Sequence, residues 1–197
     1  MAESRERILA SARALYLKGG PDAVTMRSVA QRVGVTATAL YRHFDNKDDL
    51  LTELIHQGFE TFGAYLYRAL SGRTPKERLE LSGRAYLDFA LEQREIYRTI
   101  FMSQVPPGDK GALGKHDPRC DPRATFQFLK DRIGECIDAG ELPAGDPEEM
   151  AVTIWAQVHG LISLQISGAL GISDEAFRGL YQRSVERLFA GFATTPS

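Results

Sequence analysis

Apolar positions along this chain recur every three to four residues and nowhere settle into the alternation of a strand. Ile8, Ala12, Leu15 and Tyr16 form the first stripe, and Gly19-Gly20-Pro21 ends it. Thr25 can cap a short helix carrying Val29, Ala30 and Val33, which Gly34 stops. Thr36 can cap the next, carrying Leu40 and Phe44. A long helix is predicted from Asn46 to about Ser71, with Leu50, Leu54, Phe62 and Leu66 among its apolar positions and Gly72 closing it. Further on, Thr74-Pro75-Lys76-Glu77 has the form of a capping box with Pro at the first helical position. Asp146-Pro147-Glu148-Glu149 repeats that logic, Asp121-Pro122 gives another start, and Ser173 can cap a last helix. The resulting expectation is helices near 75–92, 94–102, 122–139, 147–167 and 174–191, with no internal repeat: an all-α chain. Ser103 to Cys120 interrupts the pattern with Pro106-Pro107-Gly108, Gly111 and Gly114. It reads as a loop, either a solvated surface connection or a flap near a pocket.

Val29, Ala30, Val33, Gly34, Val35 and Leu40 belong together. Two short helices that cross steeply over a tight turn need a small residue at the approach, here Ala30, and a permissive backbone in the turn, here Gly34. Val29, Val33, Val35 and Leu40 then fill the space between them. That is the requirement of a helix-turn-helix, whose second helix is free to enter a major groove. In "TATALYRHF", Leu40 and Phe44 point inward, and Thr36, Ala37, Thr38, Tyr41, Arg42 and His43 are left for other faces. Ala37 or the Thr38 methyl can touch a thymine methyl, and Arg42 can bond guanine O6 and N7. Tyr41 and His43 can donate to phosphate. Lys47 stands at the start of the following helix, where free amides also suit a phosphate, and Thr25 and Arg27 can do the same one helix earlier.

Charge strengthens this expectation. The formal net charge is −2, but residues 1–44 carry seven basic against three acidic side chains, and the acidic excess lies in the rest. A basic end on an acidic body points to a polyanion for that end. At 43% apolar and 25% charged over 197 residues, the composition is that of an ordinary globular chain. The opening MAESRERIL has no apolar signal segment, and no apolar run is long enough for a membrane span. Cys120 and Cys136 lack close pairing and read as free thiols. The expected location is the cytoplasm, with no membrane partner.

Residues 5–51, through "TMRSVAQRVGVTATALYRHFDNKDDLL", resemble the N-terminal domain of the TetR family of bacterial transcriptional regulators. Gly34 falls at the turn, Leu40-Tyr41 and Phe44 in the recognition helix, and Lys47 ahead of Leu50. The resemblance implies that Tyr41 and Lys47 contact phosphate, that residues 36–43 form the DNA-reading helix, and that Arg42 occupies a variable position in it. It further implies a dimer bound to a double-stranded operator. The organisation expected is a helix-turn-helix domain over 1–46, a three-helix unit, and a larger helical ligand-binding and dimerisation domain over 47–197.

"IWAQVHGLISLQISG", residues 154–168, resembles a subgroup of that family with a Trp-x-x-x-His-Gly signature: Trp155, His159, Gly160. Trp155 and His159 share a helix face. They either line a ligand pocket or form a packed Trp beside a hydrogen-bonded core His. The candidate pocket takes in Tyr86, Phe89, Tyr97, Phe101, Phe126, Trp155 and His159, for a small, mostly apolar effector. Gly160 inside a helix costs about 1 kcal/mol against Ala, which a close helix crossing would explain. The helix around it is apolar on several faces, so one side needs a partner, and the stripe of the last helix (Phe177, Leu180, Tyr181, Val185, Leu188) matches it as a four-helix dimer interface.

An enzyme is disfavoured. His43, His56, His116 and His159 form no His-Glu-x-x-His pair, and the sequence has no Gly-x-Ser-x-Gly elbow, P-loop or dinucleotide fingerprint. His116 and Cys120 are too few for a closed zinc site. No metal or cofactor is implied. The function expected is a ligand-responsive regulator, a repressor released by its effector. The alternative is a ligand-independent DNA-binding or scaffold protein of the same fold.

Overall fold

The computed structural model describes residues 2–102 and 122–194; residues 103–121, where a loop carrying His116 and Cys120 is expected, lie outside the described residues. Every regular element among the described residues is a helix. They are α1 (Ala2–Ala23), α2 (Met26–Val33), α3 (Ala37–Leu40), α4 (Lys47–Tyr67), α5 (Pro75–Glu92), α6 (Arg94–Tyr97), α7 (Pro122–Asp138), α8 (Pro147–Ile166) and α9 (Asp174–Thr194). The fold is all-α, with an N-terminal helix-turn-helix followed by a larger helical portion. α1 breaks at Gly19 and Gly20, where Gly20 takes a φ of +68°. α4 tightens into a 3-10 helix at Arg68–Ser71, and α6 runs on as a π-helical turn at Arg98–Met102. The helix starts follow the cap chemistry of the sequence. Thr74 accepts from the Glu77 amide at 3.1 Å, and the Glu77 carboxylate reaches back to the Arg73 amide at 2.7 Å. Asp146 accepts from the Glu148 amide at 2.9 Å.

Packing divides the chain into two compact units. One comprises residues 2–61 with 95–102, the other residues 62–94 with 122–194. In the first, Ile8, Leu9, Ala12 and Tyr16 of α1 pack with Val24, Met26, Val29, Ala30, Leu40, Phe44, Leu50 and Leu54. Two arginines of α1 tie it to the elements beyond. The Arg5 guanidinium lies 5.2 Å from the Phe44 ring centroid and 2.8 Å from Glu53, and Arg7 donates to the Val33 carbonyl at the end of α2.

In the second unit, Leu79, Ile133, Cys136, Ala151 and Ile154 form a core among α5, α7 and α8, with Leu188, Phe189 and Phe192 of α9 against it. Burial, with Glu141 and Glu135 nearby, pushes the Cys136 thiol up to about 11, so it stays protonated and unreactive. α8 divides by side. Ala151, Ile154, Val158, Ile162 and Ile166 are buried, whereas Val152 and Leu164 on the other side are exposed; Trp155 is 39% exposed although it lies on the stripe of Ile162 and Ile166.

Candidate DNA-reading surface and aromatic site

The turn between α2 and α3 is built from backbone requirements. α2 is capped by Thr25, whose hydroxyl accepts from the Ser28 amide at 3.0 Å while the Ser28 hydroxyl accepts from the Thr25 amide at 2.9 Å. Both polar groups of Thr25 are therefore engaged inside the protein. The donors left at this helix start are the Met26 and Arg27 amides, which no helix interior can satisfy. At the other end Gly34 takes a φ of +81°, a conformation with a low cost only for Gly. There the Gly34 and Val35 amides both donate to the Ala30 carbonyl, at 2.9 and 3.0 Å.

Leu40 and Val29 are fully buried between the helices, but Val35 is 39% exposed and Val33 only half-buried. The expectation that Val35 fills the inter-helix core is therefore corrected. Its amide closes the turn, its side chain leaves the core, and α1 and α4 supply the missing volume.

Thr36 caps α3, accepting from the Ala39 amide at 3.3 Å. The α-helix covers only Ala37–Leu40, shorter than the helix expected over 36–43. The spiral continues as a turn: Tyr41 donates to the Ala37 carbonyl at 3.2 Å, and His43 and Phe44 both donate to the Leu40 carbonyl, at 2.8 and 3.0 Å. The i−3 bond of His43 tightens this last turn. Phe44 and Leu40 are buried. Thr36, Thr38, Tyr41 and Arg42 are exposed, as are Thr25 and Arg27, and Ala37, His43 and Lys47 are half-buried. Lys47 opens α4, with its Nζ 4.0 Å from the Asp22 carboxylate. The candidates of the reading segment thus surround two inward anchors and keep their polar ends in water.

The aromatic candidates divide between the units. Tyr97 and Phe101 belong to the first, 5.1 Å apart between ring centroids, with Phe59 5.8 Å from Phe101. Tyr86, Phe89, Phe126, Trp155 and His159 belong to the second. There the Tyr86 hydroxyl lies 3.0 Å from His159 Nδ1, and the Ser163 hydroxyl 3.4 Å from Nε2. The Trp155 ring is 5.5 Å from His159 and 6.1 Å from Phe126. Phe89 is fully buried and reaches Tyr86 through Phe62, which lies 4.9 Å from Phe89 and 5.4 Å from Tyr86.

Phe62 and Ser163 were absent from the sequence candidates. Ser163 had a usable signal, since it stands four residues after His159 on the same helix face. Phe62 looked like any other apolar position of a long helix. Gly160, expected at a close helix crossing, meets nothing within 4 Å where a Cβ would stand, so no described element crosses it closely.

Burial holds the His159 imidazole below its ordinary pKa. The folded protein therefore binds a proton there less readily than the unfolded chain. The contribution of neutral His159 is fully present above the unfolded value of about 6.5 and is lost as pH falls from there through the depressed folded value. The melting temperature should accordingly drop as pH is lowered below about 6.5, with a shallower drop in His159→Gln. Parallel pH profiles for the two proteins would remove His159 from that account.

A helix-turn-helix with an exposed second helix, followed by an all-helical second portion, defines the class as helical DNA-binding regulators. Residues 8–54 match the family of bacterial regulatory proteins called tetR, and residues 79–188 match the tetracyclin repressor-like C-terminal domain. The chain belongs to the TetR family, which places it among regulators and not enzymes.

A similar stretch of 117 residues is 45% identical to the transcriptional repressor KstR of Mycolicibacterium smegmatis, covering 58% of this chain and 56% of that protein. The chain thus spans little more than half the length of that relative. The probable transcriptional regulator ArpR of Pseudomonas putida is 36% identical over 169 residues, with 81% of this chain and 79% of that one covered. Among solved structures, a protein of unknown function from Rhodococcus sp. RHA1 superposes with a TM-score of 0.76 at 25% identity, covering 97% and 96% of the two chains. Among the described residues no helix is long and apolar enough to cross a membrane, and no group of three or more metal-ligating side chains gathers.

Proposed function

We propose that this protein is a transcriptional repressor of the cytoplasm that binds a pseudo-palindromic operator as a homodimer and is released by a small, mostly apolar effector. The observation that carries this reading is the segment 36–43. Leu40 and Phe44 anchor it from behind while Thr36, Thr38, Tyr41 and Arg42 stand in water. Arg42 reads a base edge, with Ala37 and Thr38 close enough to the helix start to meet a thymine methyl. Tyr41, His43, Lys47 and the start of α2 at Arg27 hold the phosphates, while Thr25 serves by capping that start.

A second copy of the chain is the natural cover for the outer side of α8. Val152 and Leu164 are exposed there, and Gly160 on the same side has open space before it, which suits a helix approaching from another copy. The effector engages the aromatic site of the second unit, where Tyr86, Phe126 and Trp155 supply apolar area and the Tyr86–His159–Ser163 chain supplies directional polar groups. The name of the KstR relative, a repressor, supports the sign of regulation.

The test begins with duplexes selected from a random pool. The selected sites should carry two related half-sites centred about 34–36 Å apart or a multiple of that. Lys47→Ala should weaken binding to every duplex and reduce the salt dependence by about one unit of log–log slope. Arg42→Ala should instead relax preference at one base position. A uniform loss with Arg42→Ala would move it to the phosphate class, and a protein that sediments as a monomer at micromolar concentration would end the two-half-site scheme. Quenching of Trp155, the chain's single Trp, by small apolar compounds tests the effector. A protein that retains operator whatever compound saturates it would leave the ligand-independent alternative.

A further inference from the structure

Asp22 sits in the last turn of α1, after its break at Gly20 and ahead of the Thr25 cap of α2, fully exposed, with a carboxylate oxygen 4.0 Å from Lys47 Nζ. Among the described ion pairs this is the one that Lys47 makes. The neighbouring Asp49 is otherwise engaged, accepting from the Asp45 amide at 3.0 Å. We propose that Asp22 is an affinity-setting residue: its carboxylate occupies Lys47 in the DNA-free protein, and a backbone phosphate has to displace it.

The inference rests on the DNA-binding function proposed above and adds a residue that opposes it. A pair at 4.0 Å in water is loose, screened by salt and exchangeable. It is weak enough to yield to a phosphate that arrives with other contacts, and present enough to lower the gain from Lys47. Because phosphates carry no sequence information, the carboxylate lowers affinity for all duplexes alike. It thereby limits occupation of unrelated DNA without altering which sequence is preferred.

The experiment measures binding of the full chain to a selected duplex and an unrelated one of equal length, between about 50 and 200 mM salt. The proteins are wild type, Asp22→Asn, Lys47→Ala and the double variant. Asp22→Asn should tighten both complexes by roughly two- to five-fold at low salt, the range of a lost exposed ion pair. The gain should shrink at high salt and vanish in the Lys47→Ala background. Weaker binding by Asp22→Asn would mean that the carboxylate orients Lys47 toward the phosphate, and would overturn the proposal. A gain that persists without Lys47 would also overturn it, leaving plain repulsion of the DNA backbone.

Failure of the wild type to bind any duplex would defeat the DNA-binding function itself and is seen separately. In that case the pair is still read in the free protein from the carbon-13 signal of reductively methylated Lys47. A signal that moves in Asp22→Asn supports the pair, and an unmoved one rules it out.

Discussion

Leu40→Ala is expected to lower the stability of the first unit by roughly 2–5 kcal/mol, the range for a buried Leu truncated in a close-packed core. Leu40 is fully buried against residues of α1, α2 and α4. α3 itself has four residues, far below the length at which a helix persists alone, so its conformation depends on the contacts of Leu40 and of Phe44 beside it. The loss should therefore melt the reading segment while leaving Thr36, Tyr41 and Arg42 chemically intact. Operator binding would fail with none of the side chains proposed to contact DNA altered. Val35→Ala provides the contrast: that side chain is 39% exposed and outside the core cluster, and the change should stay within about 0.5 kcal/mol. Urea denaturation followed by far-ultraviolet circular dichroism measures both. Similar losses for the two variants would contradict the placement of Leu40 inside and Val35 outside.

Val35 also shows where sequence pattern stops. It follows Gly34 and precedes a cap residue, and the apolar spacing of a helix-turn-helix invites it into the core. Its outward course follows from the left-handed Gly34 and the shared Ala30 carbonyl, a backbone geometry that spacing does not encode. Helix starts were legible for the opposite reason. Thr74-Pro75, Asp146-Pro147 and Ser173 are local chemistry, and α5, α8 and α9 begin at Pro75, Pro147 and Asp174. The burial pattern of residues 36–44 was legible too, because an anchor pair four residues apart leaves a definite remainder.

The aromatic site was legible only in part. Trp155 and His159 share a helix, but Tyr86 meets His159 across 73 positions of sequence, and the azimuth of α5 that permits this is fixed by packing. Tyr97 and Phe101 belong by contact to the first unit for the same reason: an aromatic on a helix declares burial, not its neighbour. Gly160 declared a close approach, and the described residues of the chain supply none.

Gly58→Ala should destabilise the protein even though Ala is the better helix former. A Cβ on Gly58 would overlap Ile100 Cγ2 and come within 3.3 Å of Ile96 Cγ2, on the segment of α6 and the π-helical turn. Ile100 Cγ2 is attached directly to a branched Cβ whose χ1 is stiff, so it cannot swing aside as the tip of a long side chain would. α4 and the turn must part instead, at a cost of about 1–3 kcal/mol for overpacking a tight contact. The helix-propensity gain of about 1 kcal/mol offsets only part of that. Gly63, five residues along the same helix, has open space where its Cβ would be, so Gly63→Ala should show that gain alone. The sign of the two Gly→Ala changes should therefore differ on one helix.

Ile100→Ala removes the obstructing methyl, and in that background Gly58→Ala should turn from destabilising to stabilising. Residues in direct contact are those for which double-mutant cycles depart from additivity, here by an amount comparable to the overpacking cost. Thermal denaturation of the four proteins of the cycle, with Gly63→Ala beside them, supplies every term. Additive effects of Gly58→Ala and Ile100→Ala would show that the two residues do not touch, and a stabilising Gly58→Ala in the otherwise unchanged chain would remove the close approach of α4 to the π-helical turn.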